Sequence, residues 1–99
     1  MKLHILSRPA SSHSDLLSAV RFSPGAVLLI EDEVFTASKG SPGHEMLRRL
    51  MDAGAPVYAL KEDLESRGLR AGLLLEGVRT VDYEGFVELV EKHEVVPWL

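Results

Sequence analysis

Residues 26–37, with the sequence AVLLIEDEVFTA, decide the fold of this 99-residue chain. The unbroken apolar run from Val27 to Ile30 is typical of a strand covered on both faces, as in a parallel α/β sheet. The run is too short to span a membrane, and it ends in three acids, Glu31, Asp32 and Glu33. Because sites in open parallel sheets lie past the carboxyl ends of the strands, this stretch predicts both the core and the functional edge.

Strand-like and helix-like segments alternate on either side of this stretch. The apolar spacing predicts further strands at residues 3–6, 56–60 and 78–81, and helices at about residues 14–22, 43–53, 61–66 and 82–93. In the last helix we expect four apolar side chains to face inward, namely Phe86, Val87, Leu89 and Val90. Residues 34–38 are predicted as an irregular or short helical segment, residues 69–77 as a loop, and residues 95–99 as an apolar tail.

This alternation predicts parallel pairing with right-handed crossovers. The fold class is therefore α/β, a single domain over residues 1–99 arranged as a three-layer α/β/α sandwich around a mainly parallel sheet of four to five strands. The composition agrees, because 45% apolar and 26% charged residues are ordinary for a soluble globular domain.

Charge and cysteine content exclude several classes of function. The net charge of −4 argues against direct nucleic-acid binding, which requires a dense basic face. The chain has no cysteine, so disulfides, thiolate metal sites and thiol chemistry on this chain are excluded. Met1 and Lys2 lead straight into a strand-like run rather than a secretory leader, so we expect a cytoplasmic protein with no membrane segment.

The candidate chemistry is sparse. Glu31, Asp32 and Glu33 are candidate magnesium ligands, but neighbours along a strand point to opposite faces and do not all converge. The four histidines show no metal-ligand spacing on one helix, and no nucleophile lies in a triad-like pattern. The sequence therefore predicts no catalytic residue, no metal and no cofactor. The hydroxyls of residues 11–14 suit either helix capping or anion binding.

Two apolar features are large for such a small core. One is Leu73-Leu74-Leu75 in the predicted loop, and the other is the tail that carries Trp98 and Leu99. Each either covers the domain's own sheet or marks a subunit interface, where tryptophan is enriched. On the second interpretation, Trp98→Ala weakens assembly more than folding.

Three segments together resemble one protein family, TusB/DsrH. Residues 28–38 (LLIEDEVFTAS) resemble its LL-x-D-G-V-x-A segment, residues 57–69 (VYALKEDLESRGL) resemble VYAL-x-x-D-L-x-x-RGL, and residues 81–99 resemble its ending. The opening KLHILSRP is also similar to the family's first strand. Glu33 stands where the family pattern has Gly. If that Gly adopts positive φ, Glu33 is strained there or the turn is built differently.

The resemblance implies a DsrE-like fold and a non-catalytic role in a sulfur-relay complex of the TusBCD or DsrEFH type. That complex is a heterohexamer with TusC/DsrF-like and TusD/DsrE-like subunits, and it serves either thiolation of the tRNA wobble uridine or sulfur oxidation. A partner must then supply the carrier cysteine. The predicted partner-interface residues are Asp32, Glu33, Val34, Phe35, Leu73, Leu74, Trp98 and Leu99.

Two rival functions remain open from the sequence. The first is a homo-oligomeric module that binds a small anion or metabolite at the strand ends, with a pocket lined by Ser11, Ser12 and Asp32. The second is a small hydrolase or phosphotransfer enzyme that depends on His13. A stable homo-oligomer with such a pocket favours the first, and turnover that is lost on His13→Ala favours the second.

Overall fold

The computed structural model describes residues 1–7, 20 and 25–98. Within these residues, five parallel strands form one sheet in the order β4-β3-β2-β1-β5. The strands are β1 (Lys2–Leu6), β2 (Gly25–Leu29), β3 (Val57–Leu60), β4 (Arg79–Val81) and β5 (Glu94–Trp98). The predicted α/β class and parallel pairing are confirmed. The apolar tail expected at residues 95–99 is instead an edge strand, because it pairs with β1 along its length.

Three α-helices and two short 3₁₀ helices connect the described strands. The α-helices are α1 (His44–Asp52), α2 (Lys61–Ser66) and α3 (Tyr83–Lys92), and the 3₁₀ helices are η1 (Glu31–Ala37) and η2 (Ala71–Leu73). Asp82 caps α3, because its carboxylate accepts a hydrogen bond from the backbone N–H of Gly85 at 2.9 Å. The helix predicted at residues 14–22 lies outside the described residues, apart from the buried Val20.

The strand order explains which face each helix covers. From β1 to β4 the chain moves in one direction across the sheet, whereas β5 lies on the other side of β1. Right-handed crossovers therefore place α1 and α2 on one face and α3 on the opposite face. The two hydrophobic clusters agree with this arrangement. The larger contains Leu47, Leu50 and Leu64 from α1 and α2, and the smaller includes Phe86 and Leu89 from α3.

Strand β2 is the centre of the core, as its continuous apolar run predicts. All five of its residues are buried, because β1 and β3 flank it and both of its faces are covered. Successive side chains alternate between the clusters, so Val27 and Leu29 lie in the larger one and Leu28 in the smaller one. None of the helices in the described residues is long and apolar enough to cross a membrane.

Helix α3 differs from its prediction on one flank. Phe86 and Leu89 pack on the sheet as expected. Val87 and Val90 were expected to face inward, but they are 55% and 37% exposed. The reason is geometric, because a single helix on an open sheet buries only the arc that faces the strands, and these two side chains lie outside that arc.

Candidate functional site

The turn after β2 combines a sharp change of direction with a run of acids. Glu31 has a φ of 53°, a left-handed conformation that residues with a side chain seldom adopt. Three acids occupy the first turn of η1, where the positive end of the helix dipole favours negative charge. The backbone N–H of Ile30 donates to the carbonyl oxygen of Leu6 at 2.9 Å. The strand therefore ends abruptly, and Glu31 and Asp32 are exposed at the carboxyl edge of the sheet.

A cluster of three charged residues, Asp32, Asp63 and Arg67, holds this turn against α2. The Asp63 carboxylate accepts a hydrogen bond from the backbone N–H of Glu31, with 2.6 Å between N and Oδ2. Arg67 Nε donates to Asp32 Oδ1 at 2.9 Å, and Arg67 Nη1 lies 3.5 Å from Asp63 Oδ1. Two of the three segments that resemble the family, residues 28–38 and 57–69, therefore meet in this cluster.

Of the two alternatives for Glu33, a strained residue or a turn built differently, the structure does not show strain at Glu33. The left-handed residue in this turn is Glu31 rather than Glu33, so the Glu at the family's Gly position occupies η1 without positive φ. Its side chain is fully buried and accepts a hydrogen bond from Thr36 Oγ1 at 2.8 Å. A buried carboxylate needs such donors, because losing water is costly for a charge. The local difference at this position is thus a buried acid and not a strained backbone.

Two loops, which contain residues 37–39 and 73–75, are joined by backbone hydrogen bonds beside this turn. Ser38 and Leu74 form an antiparallel bridge, and Leu75 N donates to the carbonyl oxygen of Ala37 at 2.7 Å. The bridge turns Leu74 into the core but leaves Leu73 50% exposed, and Phe35 on η1 is 46% exposed. The joined loops therefore present two large apolar side chains to solvent at the same edge of the domain.

The structure separates the predicted interface residues into exposed and buried groups. Asp32, Phe35 and Leu73 are exposed, whereas Glu33, Val34 and Leu74 lie inside this chain's own core. The buried group therefore contributes to the packing of this chain's own core. Trp98 is half-buried against the larger cluster, and Leu99 lies outside the described residues.

The acids and histidines of the described residues do not form a metal centre. No group of three His, Cys, Asp or Glu among them is placed to hold a metal ion. The acids after β2 do not converge, because Asp32 pairs with Arg67 while Glu33 points into the core. His44 and His93 each place Nδ1 2.8 Å from a nearby backbone carbonyl oxygen, which are local helix-end contacts. Residues 11–13, predicted as anion or base candidates, lie outside the described part.

One cleft lies where the sequence predicted only a loop. It occupies the space between α2 and residues 68–74, beside edge strand β4, and has a volume of about 570 Å³. Leu64, Leu69 and Leu74 provide apolar lining, and Lys61 and Arg70 supply two cations. The apolar spacing of residues 69–75 was the sequence signal for this cleft. That spacing forms a cleft only because these residues pack against α2. Asp32 is not among the described residues that line this cleft, and Ser11 and Ser12, predicted with it to line a pocket, lie outside the described residues.

Comparison with solved structures defines the class of protein. The crystal structure of the ychN protein from E. coli superposes with a TM-score of 0.83, at 17% identity, over 99% of both chains. The protein of unknown function MTH1491 from Methanobacterium thermoautotrophicum gives a TM-score of 0.77 at 20% identity, over 98% of this chain and 96% of that one. The all-parallel domain described above therefore has the DsrE-like fold.

Sequence comparison then identifies the family. The model of the family described as "DsrH like protein" matches residues 9–96. Protein TusB from Salmonella enteritidis PT4 (strain P125109) is 41% identical over 93 residues, which cover 92% of this chain and 93% of that protein. Protein TusB from Salmonella newport (strain SL254) shows the same identity and coverage. The chain belongs to the TusB/DsrH family.

Proposed function

We propose that this chain is a non-catalytic subunit of a sulfur-relay complex of the TusBCD/DsrEFH kind. The observation that carries the proposal is membership of the TusB/DsrH family in a chain that contains no cysteine. In a persulfide relay, an acceptor thiolate attacks the terminal sulfur of a donor persulfide, the S–S bond breaks, and the donor cysteine leaves as a thiolate. A chain without a thiol is unable to take either role, so a partner subunit supplies the carrier cysteine.

The partners in this proposal are TusC/DsrF-like and TusD/DsrE-like subunits, which assemble with this chain into a heterohexamer in the cytoplasm. The exposed part of the carboxyl edge supports a contact there, because Phe35 and Leu73 present apolar side chains beside the charged Asp32. Backbone hydrogen bonds and the Asp32, Asp63 and Arg67 cluster hold the two loops in place. A preordered surface loses less conformational entropy on binding than a flexible one.

Within this proposal, the pathway is 2-thiolation of the tRNA wobble uridine. The relatives at 41% identity carry the name TusB, which favours the Tus branch over the sulfur-oxidising Dsr branch. The net charge of −4 agrees with a subunit that supports the relay through protein contacts and does not bind tRNA directly.

Co-expression tests the complex directly. The tagged chain is expressed with TusC-like and TusD-like chains of the same genome, and size-exclusion chromatography is expected to show all three in one peak. The double variant Phe35→Ser/Leu73→Ser is expected to reduce co-elution, whereas the matched control Ala53→Ser, at an exposed helix end, is expected to leave it intact. Absence of any association for the wild-type chain would contradict the proposal.

A second measurement tests the pathway separately. Deletion of the gene for this chain is expected to lower the 2-thiouridine content of tRNA, measured by mass spectrometry of digested tRNA, and the wild-type chain is expected to restore it. If the 2-thiouridine content is unchanged in the deletion strain, although the wild-type chain forms the complex in the co-expression experiment, the tRNA branch is excluded and the complex is not.

A further inference from the structure

Helix α3 carries a second apolar stripe that the domain itself does not cover. Tyr83, Val87 and Val90 recur at i, i+4 and i+7, so they share one side of the helix. Their side chains are 55%, 55% and 37% exposed, whereas Phe86 and Leu89 on the neighbouring side pack on the sheet. The apolar arc of α3 is therefore wider than the surface that the sheet buries.

The same region concentrates the charge of the molecule. Residues 82–94 contain five carboxylates against one lysine and hold a net charge of −4, which equals that of the whole chain with histidine neutral. At 100° per residue, three of these acids lie directly beside the stripe on its outer side, namely Glu84, Glu88 and Glu91. All three are exposed. Glu94, by contrast, is partly offset by Lys2, with 3.7 Å between Nζ and Oε2.

The neighbouring edge of the sheet is poorly suited to strand addition. Strand β5 is the edge strand next to β1, and its Pro97 lacks the N–H that a further strand requires. Proline at an edge is one of the devices that prevents pairing with another chain. A partner on this side therefore contacts the helix and not the backbone of β5.

We infer that the stripe formed by Tyr83, Val87 and Val90 is a docking surface for a partner protein whose apolar face is rimmed by lysine and arginine. A second copy of this chain in a two-fold contact would bring Glu84, Glu88 and Glu91 against the same three acids, and like charges across an interface oppose binding. A partner with lysine and arginine around its apolar face avoids this repulsion, because its cations attract the three acids. The inference rests on the proposed function, because the partners tested are the relay subunits. It assigns them a second contact, on the sheet face opposite to α1 and α2.

The test compares four variants of the full chain in binding to co-purified TusC-like and TusD-like subunits, by isothermal titration at low and high salt. Val87→Asp is expected to weaken binding about tenfold or more, since the centre of an apolar contact dominates affinity. Glu84→Lys/Glu88→Lys is expected to weaken binding at low salt and to abolish the wild-type loss of affinity with added salt. The matched controls are Ala53→Asp and Glu45→Lys, exposed positions on the opposite face, and both are expected to bind as the wild type does. Circular dichroism melts verify that each variant is folded.

Each outcome has a definite meaning. Weakening by the α3 variants alone supports the inference. Normal binding by folded α3 variants overturns it and leaves the proposed function standing. No binding by the wild-type chain overturns both. Analytical ultracentrifugation tests whether the isolated chain associates with itself. Self-association that Val87→Asp disrupts would show that a second copy occupies the stripe, and it would overturn the inference of a partner with a basic rim.

Discussion

At the scale of single residues, Asp63 links the turn after β2 to α2 at the carboxyl edge of the sheet. Its carboxylate accepts a short hydrogen bond from the backbone N–H of Glu31 and pairs with Arg67, the residue that follows α2. Glu31 lies in the left-handed region, so this turn has a conformational cost that the hydrogen bond offsets. The motif D-L-x-x-R in α2 is thus explained by the turn after β2, a contact that no local sequence pattern reveals.

We expect Asp63→Ala to lower the free energy of unfolding by about 1–2 kcal/mol, because it leaves the backbone N–H of Glu31 without its acceptor and removes one of the two carboxylates that face Arg67. Urea denaturation measures the effect. The control Glu65→Ala, at an exposed position on the same helix, is expected to change stability by less than about 0.5 kcal/mol. Equal effects of the two variants would show that the cluster does not stabilise the turn.

At the scale of elements, the pairing of β1 with β2 depends on Gly25. Gly25 is the first residue of β2 and lies opposite Lys2 in the register. A Cβ atom at this position would overlap the backbone carbonyl oxygen of Lys2. Because both groups belong to the backbone of paired strands, neither is able to move without disturbing the ladder in the centre of the sheet.

Gly25→Ala is therefore expected to destabilise the chain by about 2–3 kcal/mol, the cost of overpacking a rigid site. Gly72 provides a matched control, because a Cβ atom there meets no heavy atom within 4 Å and its φ is not positive. We expect Gly72→Ala to stay within about 0.5 kcal/mol of the wild type in the same denaturation assay. If both variants unfolded at the wild-type midpoint, the close approach of β1 and β2 would be refuted.

At the scale of the whole molecule, Trp98 joins the two ends of the chain. Its indole N–H donates to Nδ1 of the buried His4 at 3.1 Å, which requires that this nitrogen carry no proton. The two rings lie 6.1 Å apart at an angle of 47°, and the indole packs on the larger hydrophobic cluster. The tryptophan therefore stabilises this domain through the pairing of its first and last strands.

We expect Trp98→Ala to reduce the stability of the isolated chain by about 2 kcal/mol, less than for a fully buried aromatic ring because the side chain is only half-buried. Trp98→Phe retains much of the apolar contact but loses the donor to His4, and we expect a cost of about 1 kcal/mol. Val95→Ala, on the other face of the same strand and 38% exposed, serves as the control. A loss of assembly with unchanged monomer stability would restore the interface interpretation drawn from sequence.

The sequence by itself determined the α/β class, the central position of residues 27–30 and the family. Unbroken apolar runs and helical spacing are local signals that report burial whatever the chain packs against. It did not reveal that the tail is β5, because an edge strand owes its conformation to β1, about ninety residues earlier in the chain. It also misplaced Val87 and Val90, since periodicity shows that a helix is apolar but not how much of that arc the sheet covers.

Only the tertiary structure decided what the acids after β2 do. The run Glu31-Asp32-Glu33 offered candidate magnesium ligands, although the sequence predicted no metal site, and in the folded chain its members lie in three different environments. Glu31 takes the left-handed turn, Asp32 pairs with Arg67, and Glu33 enters the core to meet Thr36. The physical reason is that the position of a charged side chain depends on its partners, and the partner of Asp32 is Arg67, which follows α2 and lies 35 residues further along the chain.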